Sequence, residues 1–149
     1  MPRIAFTSVL EQEHRDELER LLFFNANQSR VTDEVTRVAK EYGIPRVNVV
    51  GDRLRVEVAS KTATQTLYAI ERGSQRPIGV AVYTREQDAL VVLFVAVHED
   101  YAANGSEGKR GLMVKFVAKM RRIAQRVRGI DMLRMYVGRP EPTTLRVRR

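Results

Sequence analysis

Two hydrophobic periodicities adjoin in the second half of this chain. Residues 90–97 (Leu90, Val91, Val92, Leu93, Phe94, Val95, Ala96, Val97) form an unbroken apolar run rich in β-branched side chains. With no polar position to face water, the run predicts a strand buried on both faces. From Leu112 the apolar residues recur at Leu112, Phe116, Met120, Ile123 and Val127, with Met113, Val117 and Ala124 beside them. That spacing predicts a helix. The polar stretch between the two holds Gly105, Gly108 and Gly111. A strand, a glycine loop and a helix in this order leave backbone N–H groups at a helix N-terminus, an arrangement that attracts phosphate.

The remaining elements follow from similar patterns. Residues 3–6 read as a short first strand. Ser8 and Glu11 have capping-box spacing, opening a helix whose apolar side is Leu10, Leu18, Leu21 and Leu22. His14 lies on that side and reads as a helix-surface histidine with a local hydrogen bond. Thr32 or Asp33 caps a second helix carried by Val35, Val38, Ala39 and Tyr42, ended by Gly43 and Pro45. Residues 47–50 and 54–58 flank Gly51-Asp52, a two-residue hairpin signal. Residues 66–71 and 78–83 flank a polar turn containing Gly73, and residues 85–88 lead into the buried run. Short connections make these strands antiparallel. After the basic helix, stopped at Arg128-Gly129, residues 132–137 form a strand. A strand–helix–strand crossover places it parallel to residues 90–97. Residues 143–149 are a tail or a short strand. The fold class is mixed α/β, in one domain over residues 1–149.

The 149 residues suffice for a single hydrophobic core. There is no cysteine, which removes disulfides, thiolate catalysis and cysteine-ligated zinc and fits a cytoplasmic protein. No apolar run is long enough for a membrane span, the first residues lack signal-peptide character, and no metal site is expected. Of the 26 basic and 18 acidic side chains, residues 1–60 hold 9 and 10, leaving 17 and 8 for residues 61–149. The excess positive charge therefore belongs to the second half, where it attracts anions. On the predicted basic helix Lys115, Lys119, Arg122 and Arg126 recur at helical intervals, with no acidic residue between Lys109 and Arg128. Arg121, Arg128, Arg146, Arg148 and Arg149 add to the field. A solvated outer face, a nucleic-acid contact, an acidic protein partner and a cofactor phosphate all suit such a stripe. Phe116 is the only aromatic there, so a nucleic acid would be held by its backbone.

The order of elements resembles the GNAT superfamily of N-acetyltransferases, most specifically over residues 67–137. Leu67-Tyr68-Ala69-Ile70-Glu71 followed by Pro77-Ile78-Gly79-Val80-Ala81 is similar to that family's hairpin, and Val97-His98-Glu99-Asp100-Tyr101 to its strand exit, Val-x-Pro-x-Tyr. Lys109-Arg110-Gly111-Leu112-Met113 stands at the family's pyrophosphate loop, Arg/Gln-x-x-Gly-x-Gly/Ala. The resemblance implies an acyl-CoA N-acyltransferase fold: an N-terminal helix pair and a mostly antiparallel sheet, with one parallel strand pair around the basic helix. It implies acetyl-CoA as cosubstrate, held at Val95, Val97, Lys109, Arg110, Gly111, Leu112 and Met113, and an amine as acceptor. It also implies that the parallel strands splay apart for the pantetheine arm. Gly108 replaces the family's Arg or Gln, Met113 replaces its small residue, and residues 102–108 form an insertion. The family's further helix and two strands after residues 132–137 have no counterpart.

Acetyl transfer to an amine needs a base, an oxyanion donor and a proton for the thiolate. Glu99 and His98 are the candidate bases and Tyr136 the candidate acid. A backbone N–H near Val97 is the generic oxyanion donor, and Tyr101 is expected to pack. The other reading is a catalytically inactive protein of this fold, a basic module for nucleic acid or a protein. A homodimer is expected to cover the sheet edge at residues 132–137.

Overall fold

The computed structural model describes residues 4–23, 45–58, 64–102, 105–135 and 143–147. Its centre is a six-stranded sheet. β1 (Ile4–Thr7), β4 (Thr64–Glu71), β5 (Pro77–Glu86), β6 (Ala89–Val97), β7 (Met132–Met135) and β8 (Thr143–Arg146) lie side by side in that order. All neighbours are antiparallel except β6 and β7, which run parallel, as the crossover rule requires. β2 (Pro45–Val50) and β3 (Arg53–Val58) form a separate two-stranded sheet. Its Gly51-Asp52 loop has Gly51 at φ +67°, the conformation that glycine takes at least cost. β5 and β6 are also joined by a two-residue turn, Gln87-Asp88, tighter than the sequence pattern implied.

The sheet is covered on both faces, which is why β6 carries no polar side chain. On one face α1 (Arg15–Phe23) and the β2–β3 hairpin place Leu18, Leu21, Leu22, Val56 and Val58 against Tyr68, Val80, Val82 and Val91. On the other, α2 (Leu112–Arg126) lays Leu112, Phe116, Met120 and Ala124 on Ala69, Ala81, Leu90, Val92 and Leu133. α2 stops at Val127, and Gly129 follows at φ +84°. Arg85 closes this end by donating from Nη1 to the Arg128 carbonyl at 3.0 Å.

The capping box is not formed. Residues 8–10 remain outside the helix, and Thr7 Oγ1 accepts from the Val9 N–H at 3.1 Å. Glu11 bridges to Arg53 and offers no side-chain cap. A short 3₁₀ turn, Gln12–His14, comes before α1. Tertiary pairing explains the loss: Leu54 N–H reaches Leu10 C=O at 2.8 Å and Gln12 N–H reaches Asp52 C=O at 3.0 Å. These bonds draw the would-be first turn toward the hairpin. His14 does make its local bond, to Glu17 at 2.9 Å. The second predicted helix lies outside the described residues. β8 pairs with β7 from Met132↔Arg146 to Met135↔Thr143, so β7 is an inner strand. The argument for a dimer that covers β7 therefore loses its premise, and β8 is the edge.

Gly79 governs how closely α2 approaches. A Cβ built there would stand 2.6 Å from Phe116 Cε2 and 2.9 Å from Cζ. Phe116 is fully buried and meets Phe6 edge to face at 5.1 Å, so it has little room to retreat. Gly79→Ala is expected to lower unfolding free energy by about 1–3 kcal/mol through overpacking. Gly79→Ala combined with Phe116→Leu should recover part of that loss in denaturant melts.

Candidate functional site

β6 changes register with its neighbours at one residue. Val82 pairs with Phe94, but Tyr83 pairs with Val92, so Leu93 is an extra residue on β6, a β-bulge. The bulge switches the faces. Val92 lies under α2 and Leu93 under α1, and then Val95 and Val97 return to the α2 side. Parallel pairing with β7 runs from Ala89↔Met132 to Val92↔Met135, so its last described pair stands immediately before the bulge. Residues 93–97 extend beyond that pair.

Backbone direction in this segment follows from one hydrogen bond. His98 N–H donates to Ile78 C=O at 2.8 Å, making that opposed pair a hydrogen-bonded one. By the alternation of an antiparallel ladder, Val97 opposite Gly79 and Val95 opposite Ala81 are non-hydrogen-bonded pairs. Their N–H and C=O groups point away from β5, toward the β7 side. Their side chains are buried in the α2-side core, so Val95 and Val97 serve a site only through backbone groups.

The loop after β6 is compact. His98 caps a 3₁₀ turn, Glu99–Tyr101, by accepting the Asp100 N–H on Nδ1 at 3.1 Å. Glu107 N–H donates to Asp100 C=O at 2.6 Å, and Gly105 N–H to Ala102 C=O at 2.8 Å. At Gly105 the backbone crosses so closely that a Cβ would lie 2.2 Å from the Glu99 carbonyl oxygen. Residues 105–107 thus fold back on the strand exit. A second 3₁₀ turn, Gly108–Arg110, then delivers the chain to Gly111.

Gly111 is the N-cap of α2 and holds φ +62°, ψ +47°, the left-handed region that disfavours a Cβ. It has no side chain with which to cap, and no side-chain cap bond is made. The helix ladder starts only with Lys115 N–H to Gly111 C=O at 3.0 Å. Among the described residues, the N–H groups of Leu112, Met113 and Val114 therefore open the helix without a side-chain acceptor, at the positive end of its dipole. This end of α2 follows directly on the loop from the bulged strand.

Among solved structures, two acetyltransferases are similar to this chain at low identity. A nourseothricin acetyltransferase aligns with a TM-score of 0.39 and 14% identity, over 90% of this chain and 73% of its own. A "putative acetyltransferase of the GNAT family" from Desulfovibrio desulfuricans aligns with a TM-score of 0.41 and 19% identity, over 89% and 72%. No family model and no curated protein matches the sequence. What the chain can do is decided by its own strand–loop–helix geometry.

The expected site residues divide accordingly. Gly111, Leu112 and Met113 provide the cap and the first amides. The Leu112 side chain is core, and the half-buried Met113 packs against that core. Lys109 contributes backbone to the 3₁₀ turn, and its side chain lies outside the described residues. Arg110 is ion-paired with Glu107, which reduces the charge it offers an incoming anion. Glu99 is exposed at the strand exit. Tyr136 lies outside the described residues.

Tyr101 packs, as expected, but it also belongs to a network that the sequence did not reveal. Its hydroxyl is buried and donates to Glu71 Oε2 at 2.7 Å. Glu71 also accepts from Arg76 Nε at 2.8 Å and from Ser74 Oγ at 2.9 Å. The β4–β5 turn is thereby tied to the loop that delivers α2. The Arg76 hydrogen bond, with help from Tyr101 and Ser74, outweighs partial burial and holds the Glu71 carboxyl at about 2. Burial first, and Glu71 second, push the Tyr101 phenol up to about 12, so it remains a neutral donor.

Because the folded carboxyl titrates below its ordinary value of 4.5, protonating it costs stability that is fully present above that pH. The contribution should fade as pH falls from about 4.5 to about 2. Glu71→Gln should be less stable than wild type at neutral pH, with the difference shrinking toward pH 2 in urea melts. A constant difference across that range would place the stabilisation elsewhere.

Proposed function

We propose that this protein is an acetyl-CoA-dependent N-acetyltransferase that acts on an amine. The observation that carries the reading is the glycine-capped start of α2, its first amides unclaimed by any side chain among the described residues, following a strand that bulges just after its last described parallel pair. That geometry fits a diphosphate at the backbone of Gly111, Leu112, Met113 and Val114, where the side-chain-free Gly111 gives access and the helix dipole favours negative charge. It also fits an extended amide-bearing arm beside Val95, whose peptide groups face the β7 side. Acetyl-CoA, when bound, supplies the acetyl thioester.

The chain's own groups then have distinct tasks. A backbone N–H of β6 that faces the β7 side is suited to a developing oxyanion, since it needs no side chain to be positioned. Glu99, exposed at the strand exit, takes the proton from the acceptor ammonium, directly or through water. His98 is less suited, because its Nδ1 already accepts the Asp100 N–H. That bond leaves the neutral ring's proton on Nε2. Tyr136 is the remaining candidate for protonating the thiolate. We place the protein in the cytoplasm, in keeping with its lack of cysteine.

Acetyl-CoA at about 100 times its Kd should stabilise the protein by about 2.7 kcal/mol, seen as a rise in Tm. No shift at millimolar acetyl-CoA would overturn the reading. Gly111→Val, strained by roughly 1–2 kcal/mol in the left-handed region, should lose the shift. Gly111→Asn, which tolerates that region, should keep much of it. Glu99→Gln should retain the shift and lower kcat by about 100-fold or more with an amine acceptor.

A further inference from the structure

The outward face of α2 carries charge of one sign that nothing in the structure neutralises. Lys115, Arg121, Arg122, Arg126 and Arg128 are all exposed. Among the described residues, none of them is in an ion pair with an acidic side chain. Elsewhere the surface is arranged differently. Arg15 pairs with Glu19, Arg53 with Asp52, Arg55 with Glu57, Arg76 with Glu71 and Arg110 with Glu107. Lys119 is also drawn aside, its ammonium 5.9 Å from the Phe6 ring. The nearest acidic residues in the chain, Glu107 and Asp131, flank the helix ends, and Glu107 is already held by Arg110.

Five like charges held unpaired within little more than the length of one helix repel one another, and a polyanion relieves that repulsion. Lys115 and Arg126 are separated by about 16 Å of helix, at 1.5 Å per residue, room for several phosphates of a strand. An acidic protein fits less well. Protein interfaces are built round a dense apolar core with aromatic anchors. Here the exposed large apolar side chain is Val114, 73% accessible, next to the small Ala118 and without an aromatic partner. We infer that this face of α2 binds the phosphate backbone of nucleic acid, with little sequence preference. The inference is independent of the acetyl-CoA reading, because it uses the side of the helix away from the sheet.

The test is fluorescence anisotropy with a short labelled oligodeoxythymidine and its RNA counterpart, across a salt series. Contact with about four phosphates predicts roughly 50-fold weaker binding between about 50 and 200 mM salt. Arg122→Gln with Arg126→Gln should weaken binding at least tenfold at about 100 mM salt and reduce the log–log salt slope by about 1.4. Arg53→Gln with Arg55→Gln removes the same charge from β3 and should change the Kd less than twofold. Thermal melts would check that both variants fold. Equal losses in the two variants, no binding at low salt, or full displacement by polyglutamate at matched charge would each overturn the assignment. A loss confined to the α2 variant, with polyglutamate a poor competitor, would support it.

Discussion

The extra residue at Leu93 is the constraint on which the site depends. β6 is the interior strand of a sheet covered on both faces, so each of its side chains must be apolar wherever it points. That tolerance is what lets the strand take a bulge without burying a polar group. The bulge stands immediately after the last described parallel pair with β7, Val92↔Met135. It also hands Val95 and Val97 to the α2 side, with their peptide groups facing away from β5. The peptide groups of Val95 are thereby aimed at the β7 side, within a sheet whose backbone groups are otherwise ordered by its ladders.

From that strand the chain has to reach the start of α2 without blocking it. It does so by closing residues 105–107 on the strand exit through backbone hydrogen bonds, with Gly105 where two backbone segments nearly touch. Gly111 then turns through the left-handed region. Glu71, Tyr101 and Arg76 hold the assembly from beneath, a carboxylate satisfied by three side chains. Among the described residues, no side chain caps the first helical amides. The positive end of the helix is left for a ligand.

α2 accordingly faces two ways. Its apolar stripe, seated over Gly79, fixes its position on the sheet. Its N-terminus points to the strand exit, and its outer surface carries unneutralised cations. Each depends on a separate set of side chains, so the same helix can orient a ligand at its end and a polyanion along its flank.

What the sequence determined by itself was the set of elements with strong periodicity: the buried run, the long amphipathic helix, the Gly51-Asp52 hairpin and the parallel direction of residues 132–135. These depend on local pattern and on chirality, which act before any tertiary contact. The glycine loop before the helix was legible too, but not that Gly111 would cap it from the left-handed region. Only the tertiary structure decided the rest. The capping box at Ser8 and Glu11 lost to pairing with the hairpin, whose bonds come from residues forty or more positions away. The bulge was invisible because a strand apolar on both faces has no alternation to break. The union of Glu71 with Tyr101 joins groups thirty residues apart, and no periodicity records a contact made across a fold.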